Sequence, residues 1–324
     1  MKKWFMNIRN QQLIVTAAFM LIPVFLLFLF TYLPFFKMLQ FSFYEMRYIG
    51  RRTFVGLQNF RDVFTRPEIF NSLKLSVYYL IASFVQLALA LFFATILSFR
   101  IKGGDFFKGL MFFPYLVSGI AIGFIFKFFF TRGFVLDSLL ISLGFEQESL
   151  PYWLRNTAVN NFMLAGTSVW RYMGQNMVLF IGAIMSVDPQ LYEAADIDGA
   201  SGWDKFWYIM LPSIKTIVVL NLILSITGSI SAFEPPYVIT NGTFNTGTYF
   251  VIMNRMAHEL QKVGLASAMA VVLMIIIIVV TMFQRTVFKI FFEADDQGYT
   301  FGERRAMKKR QAVFPAAGQG RGAR

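Results

Sequence analysis

The run Asp188-Pro-Gln-Leu-Tyr-Glu193-Ala-Ala-Asp-Ile-Asp-Gly199-Ala-Ser201-Gly-Trp-Asp204-Lys-Phe-Trp-Tyr-Ile209-Met-Leu211-Pro212 lies between two long apolar stretches. Its local chemistry can be read residue by residue. Asp188 is a good helix N-cap, and Pro189 suits the first helical position, where no amide hydrogen bond is needed. Gly199 can take the left-handed conformation that ends the helix. Ser201 with Asp204 three residues on makes a capping-box start for a second helix, which Pro212 then breaks. The pattern predicts two short helices with a bend between them, and Leu191, Tyr192, Ala194, Ala195 and Ile197 around the first. An ordinary capped hairpin at a membrane interface would have the same caps, so the context has to decide.

That context is lipid. Of 324 residues, 56% are hydrophobic and 15% charged, with 40 Phe and 17 Met. A soluble domain carries about a quarter charged residues, and no water-soluble packing of this length hides so much apolar surface. A membrane helix needs about 20 apolar residues, because the bilayer offers the backbone no water. Reading between charges gives six such runs: Leu13 to Leu33, Lys74 to Arg100, Lys108 to Lys127 with Phe128–Phe130 extending it, about Thr157 to Ser186 interrupted by Arg171, Lys215 to Glu234, and Lys262 to Arg285. Met1-Lys2-Lys3 is like the start of a signal peptide, but the uncharged run over 10–36 is far longer than a 7–15-residue signal core. It is expected to be retained. The expected fold is therefore all-α and integral to the membrane: residues 1–12 form a cytoplasmic N-terminus, 13–292 six transmembrane helices with the loop at about 187–212, and 293–324 a basic cytoplasmic tail able to touch anionic lipid through Arg304–Arg310.

The net charge is +12. In a soluble protein that would suggest nucleic acid; here basic residues at membrane interfaces explain it better. With both termini inside, 17 of the 30 Lys and Arg are cytoplasmic, but 9 of those lie from Arg285 onward, so charge alone does not set the orientation. Arg47, Arg51, Arg52, Arg61 and Arg66 crowd one outer loop and need their own explanation. There is no Cys and one His, His258, which leaves no thiolate or zinc cluster. The sequence contains no Gly-x-x-x-x-Gly-Lys-[Ser/Thr] phosphate loop and no nucleophile or paired-carboxylate constellation. Glu146 and Glu148 read as a solvated turn, and the sequon Asn241-Gly-Thr243 as an accident of a short pattern.

The spacing Glu193-Ala-Ala, three residues, Gly199, nine residues, Ile209-x-Leu211-Pro212 resembles the EAA motif of permeases in binding-protein-dependent ATP-binding-cassette importers. Phe54-Val-Gly-Leu-x-Asn59-Phe, Phe113-Pro-Tyr115, Trp170, Phe233, Thr240-Asn-Gly and Gly264-x-Ala-Ser-Ala-x-Ala extend the likeness over most of the chain, toward the carbohydrate-uptake branch and the first permease of maltose-type systems; more faintly it resembles the permease of alginate importers. The resemblance implies a bacterial inner-membrane, multi-pass subunit with a cytoplasmic coupling helix. In it Glu193, Ala194, Ala195 and Gly199 dock on an ATPase subunit, Glu193 pairing with a basic group and Gly199 supplying the bend. It also implies a second, non-identical permease, two ATPase subunits that bind ATP and Mg, and an extracytoplasmic solute-binding protein. This chain would need no cofactor and catalyse nothing itself.

The same resemblance brings Tyr115, Gly119, Ser168, Arg171, Tyr172, Gln175, Ser225, Ser229 and Ala232 onto sugar-contacting positions. Arg171 departs from the pattern, where an apolar residue is usual. Inside a span it either snorkels, or pairs with Glu234 or another helix, or faces the translocation path beside Tyr172 and Gln175. A free guanidinium there would favour a carboxylate or phosphate, and with the outer arginines it points to an acidic, uronate-type oligosaccharide. Neutral oligosaccharides and glycerol-phosphate are the alternatives within this class. A self-sufficient channel or secondary carrier is a more distant one, because it leaves the EAA loop unexplained.

Overall fold

The computed structural model describes residues 8–292 apart from Arg100; the expected tail over 293–324 and the first 7 residues lie outside the described residues. The chain begins with α1 (Ile8–Leu27), a π-helical turn (Phe28–Tyr32) and α2 (Leu33–Phe41). A two-stranded hairpin follows, β1 (Tyr44–Glu45) and β2 (Thr53–Phe54), then α3 (Gln58–Thr65) and α4 (Pro67–Leu97). Next come α5 (Gly104–Leu116), α6 (Gly119–Phe130), α7 (Val135–Ser142) and α8 (Asn160–Met185). The 187–212 loop contains α9 (Pro189–Ile197) and α10 (Gly202–Lys205). The chain continues through α11 (Lys215–Ile230), α12 (Glu234–Thr240), α13 (Tyr249–Asn254) and α14 (Val263–Phe292).

Four segments among the described residues are long and apolar enough to cross a membrane: Asn10–Phe41, Pro67–Leu97, Lys215–Thr240 and Val263–Lys289. A fifth arises if α5 and α6 are counted together, although they bend by 98°. The third expected span is thus two half-length helices. Pro114 lacks an amide hydrogen at the end of α5, Val117 is extended, and Ser118 caps α6 by accepting from the Ala121 amide at 3.3 Å. The fourth expected span, α8, has 26 residues, about 39 Å at 1.5 Å per residue, which is long enough. It fails only on apolarity: Arg171, Gln175 and Asn176 interrupt its middle, and Asn160, Asn161, Thr167 and Asn176 are buried polar residues facing the protein. The fifth span runs past its expected end at Glu234. It breaks at Ser231–Phe233 and resumes as α12, whose Pro235 and Pro236 are tolerated in a first turn.

Two compact units can be distinguished, and each is described separately. In the first, residues 8–70 and 252–275, the hairpin pairs Tyr44 with Phe54 and Glu45 with Thr53. Asn59 is buried and donates to the carbonyls of Ser42 at 2.9 Å and Tyr44 at 3.0 Å, so the motif Phe54-Val-Gly-Leu-x-Asn59 is a clamp on the hairpin. The Val263 amide donates to the Met46 carbonyl at 3.1 Å. Gly264 sits against the Tyr44 carbonyl, where a Cβ would collide with backbone. Tyr48 hydroxyl and His258 Nδ1 are hydrogen-bonded at 2.8 Å.

In the second unit, residues 71–251 and 276–292, one apolar core joins α4 (Leu87, Ala90, Ala94), α8 (Met177, Phe180, Ile184) and the end of the 187–212 loop (Met210, Ile214). A second joins Tyr79 and Ala82 of α4 with Leu164 of α8 and Ile239 of α12. Helices α5 and α8 approach so closely that a Cβ on Gly174 would meet the Met111 carbonyl. The turn after α12 is held by side chains: Asn160 donates to the Phe244 carbonyl at 2.7 Å and Asn161 to that of Asn245 at 3.0 Å. Asn241 there has φ +52°, so Thr240-Asn-Gly is a left-handed helix terminator.

Candidate functional site

A cavity of about 370 Å³ opens within the second unit, among α4, α8, α11 and the break before α12. Six of the nine expected path residues line it: Ser168, Tyr172 and Gln175 from α8, Ser225 and Ser229 from α11, and Ala232 at the break. Ser229 donates to the Ser225 carbonyl at 2.7 Å. Tyr115 reaches the cavity indirectly, its ring 6.2 Å from that of Tyr172. Gly119 and Arg171 lie in an adjoining narrow space that shares Ser168, Glu234 and Pro235 with the cavity.

Arg171 is paired. Its Nη1 donates to the Glu234 carboxylate in an ion pair that joins α8 to the first turn of α12. The two side chains pack on Gly119, where a Cβ would strike both. Arg171 is 15% exposed and Glu234 42%, so the pair sits at the cavity edge rather than in the core. The guanidinium lies 5.1 Å from the Tyr172 ring centroid, and its Nε is buried without a partner among the described residues. Glu234 is the one charged residue on the cavity wall among the described residues, and Arg171 balances it.

The reading from sequence missed the α4 wall. Tyr79, Ser83 and Gln86 face the cavity, and the Tyr79 hydroxyl is buried with no partner among the described residues. Ser76, Tyr79, Ser83 and Gln86 fall at spacings of 3, 4 and 3, one polar stripe on an otherwise apolar helix. That stripe was the available signal.

At the opposite end of α8 the 187–212 loop has the caps its sequence predicts. Asp188 accepts from the Gln190 amide at 3.0 Å, Gly199 has φ +75°, and Ser201 and Asp204 close a capping box, with the Ser201 amide donating to Asp204 at 2.9 Å. The Ser201 hydroxyl and amide hold the Asp204 carboxyl below the usual carboxylate range, against a smaller opposing effect of desolvation. Lys205 pairs with Asp196 at 2.5 Å across the bend. Tyr192 turns inward onto the apolar core, and burial pushes its hydroxyl up. Glu193, Ala194 and Gly199 are exposed and Ala195 half-buried; Ile197 is 87% exposed, an apolar side chain held out on a polar loop.

Comparison with known proteins gives one answer. Residues 86–289 match the model of the family described as binding-protein-dependent transport system inner membrane component. The arabinooligosaccharides transport system permease protein AraP of Bacillus subtilis (strain 168) is 33% identical over 243 residues, covering 72% of this chain and 75% of that one. The probable permease YurN of the same organism is 28% identical over 86% of this chain and 98% of its own. The multiple sugar-binding transport system permease protein MsmF of Streptococcus mutans is 26% identical over 82% of this chain and 92% of its own. Among solved structures, a bacterial ABC transporter involved in import of the acidic polysaccharide alginate has a chain of the same fold, with TM-score 0.78 and 18% identity over 87% of this chain and 98% of that one.

Proposed function

The chain belongs to the family of binding-protein-dependent transport system inner membrane components, and from that premise we propose that it is the permease subunit of an importer that carries an oligosaccharide by alternating access. The observation that carries the substrate class is the cavity wall. Hydroxyls and amides of Ser83, Gln86, Gln175 and Ser225 alternate with the faces of Tyr79 and Tyr172. A sugar offers a rim of hydroxyls and two apolar ring faces, which this lining complements. Relatives named for arabino-oligosaccharides and multiple sugars support the same class.

In this reading the 187–212 loop is cytoplasmic and couples to one of two ATPase subunits through Glu193, Ala194, Ala195 and the bend at Gly199. A second permease completes the path, and an extracytoplasmic binding protein delivers the sugar. Closure of the ATPase dimer moves the coupling loops, and the permeases rock to open the cavity outward. ATP hydrolysis resets them.

The charge of the sugar turns on Arg171. Paired with Glu234, it offers the cavity no net positive charge, so the cavity as it stands suits an uncharged sugar unit. An acidic unit would have to draw the guanidinium away from Glu234. The test is binding-protein-stimulated ATP hydrolysis by the reconstituted transporter across matched neutral and uronic oligosaccharides, with Glu193→Ala and Arg171→Ala alongside. Stimulation by a saccharide that is lost in Glu193→Ala supports the reading; failure of every saccharide to stimulate would falsify it.

A further inference from the structure

A second cavity of about 450 Å³ lies in the same unit, at the other end of α8 from the coupling loop. Its walls are the end of α6, the segment just before α8, and the turn after α12. The 26 residues of α8, about 39 Å, separate this level from Met185 and the loop that follows. If that loop is cytoplasmic, the basin faces outward.

Its lining among the described residues contains Lys127, Arg132 and Arg155 and no carboxylate. Lys127 and Arg155 are exposed and form no ion pair among the described residues. Arg132 is fixed in place: it donates to the carbonyls of Leu150 at 2.8 Å and Gln147 at 3.0 Å, and lies 4.3 Å from the centroid of the Tyr152 ring. Arg155 lies 5.8 Å from the Phe244 centroid. Behind the wall, fully buried Asp137 accepts from Trp153 Nε1 at 2.6 Å and from the Gly133 amide at 2.6 Å, which locks the indole and the turn beside Arg132. The basin is therefore preorganised, aromatic and cationic. Three like charges around a sugar-sized space repel one another until an anion joins them.

We infer that this basin is a binding site for a carboxylate-bearing sugar unit. Tyr152, Trp153 and Phe244 offer apolar faces to a pyranose ring, while Lys127 and Arg155 offer free donors to its carboxylate. The position adds a second argument. The narrow space holding the Arg171–Glu234 pair shares Ile239 with the basin and Ser168, Glu234 and Pro235 with the central cavity. That space is about 10 Å³, too small for a sugar unit, so an acidic unit reaches Arg171 only when the helices around it part. The inference rests on the importer reading and names its substrate as an oligosaccharide with at least one acidic unit.

The experiment uses the assembled transporter in lipid nanodiscs without binding protein, and measures the Kd of a uronic-acid trisaccharide and of the neutral trisaccharide of the same linkage. Lys127→Gln/Arg155→Gln should weaken the uronate at least tenfold and leave the neutral sugar unchanged. Raised salt should weaken the uronate alone, and the charge-keeping Lys127→Arg/Arg155→Lys pair should restore it. Unchanged uronate affinity in the double variant overturns the inference, and so does an equal loss for both sugars. A separate titration with the binding protein, in which the double variant weakens its association while sparing both saccharides, also overturns it, by assigning the cations to a protein partner. The importer reading fails separately, on the absence of saccharide-stimulated ATP hydrolysis in the unsubstituted transporter.

Discussion

Asp62 shows how one side chain holds α3 in the first unit. Desolvation raises its pKa, but hydrogen bonds from Arg66, at 2.8 Å, and Gln58, with the charges of Arg66 and Lys262, outweigh it and hold the carboxyl below the usual range. A depressed folded pKa means that the stabilisation is present above the unfolded value, about 3.9, and is lost as pH falls through the folded one. Hydrogen-exchange protection of α3 should therefore fall in acid below that value, and Asp62→Asn should be less protected at pH 7 and insensitive to that acid range. Gly264 makes a steric prediction. A Cβ there meets the Tyr44 carbonyl, so Gly264→Ala should cost about 1–3 kcal/mol, read from thermal unfolding in detergent. A melting point equal to the parent's would show that the hairpin gives way freely. The sequence made the caps of the loop legible, Asp188, Gly199 and Ser201 alike, because capping is decided within four residues. It gave the motif around Gly264 without its reason, since the colliding carbonyl is 220 residues away in the chain.

At the scale of helices, apolar runs between charges locate the spans well and their shapes poorly. Hydropathy carries no angle, so the 98° break at Val117–Ser118 was invisible although Pro114, Ser118 and Gly119 were all in view. Reading by charge also hid the polar stripe on α4, since Ser76, Tyr79, Ser83 and Gln86 carry none. Arg171 stood out for the opposite reason. Its pairing with Glu234 across the two helices makes a prediction about cost. Removing one partner of a fully buried pair costs about 3–5 kcal/mol; with Glu234 part-exposed, Glu234→Gln should cost about 1–3 kcal/mol. Arg171→Met with Glu234→Gln should recover part of that loss, because no uncompensated charge remains. Unfolding of the two single variants and the double closes the cycle, and strict additivity would mean that the pair contributes nothing.

For the molecule as a whole, α8 is the element that matters, because the central cavity lies against its middle and the 187–212 loop follows its end. Phe180, Ile181 and Ile184 of α8 share one core with Met210 and Ile214 beyond the loop, so a displacement of the loop cannot be absorbed without repacking α8. In the proposed importer, a push on α9 would reach the cavity wall through these packed side chains. Ile197 tests the delivery. It is 87% exposed in the chain alone, so Ile197→Glu should leave folding and saccharide binding intact. A charge placed in an apolar docking surface should instead weaken association with the ATPase by about 2 kcal/mol, roughly thirtyfold, and stimulated hydrolysis should fall with it. Co-purification of the ATPase at parental stoichiometry, with full stimulation, would place the docking face elsewhere on the loop. Loss of stimulation with saccharide Kd unchanged would mean that the cavity forms without the motor and that the loop transmits its stroke.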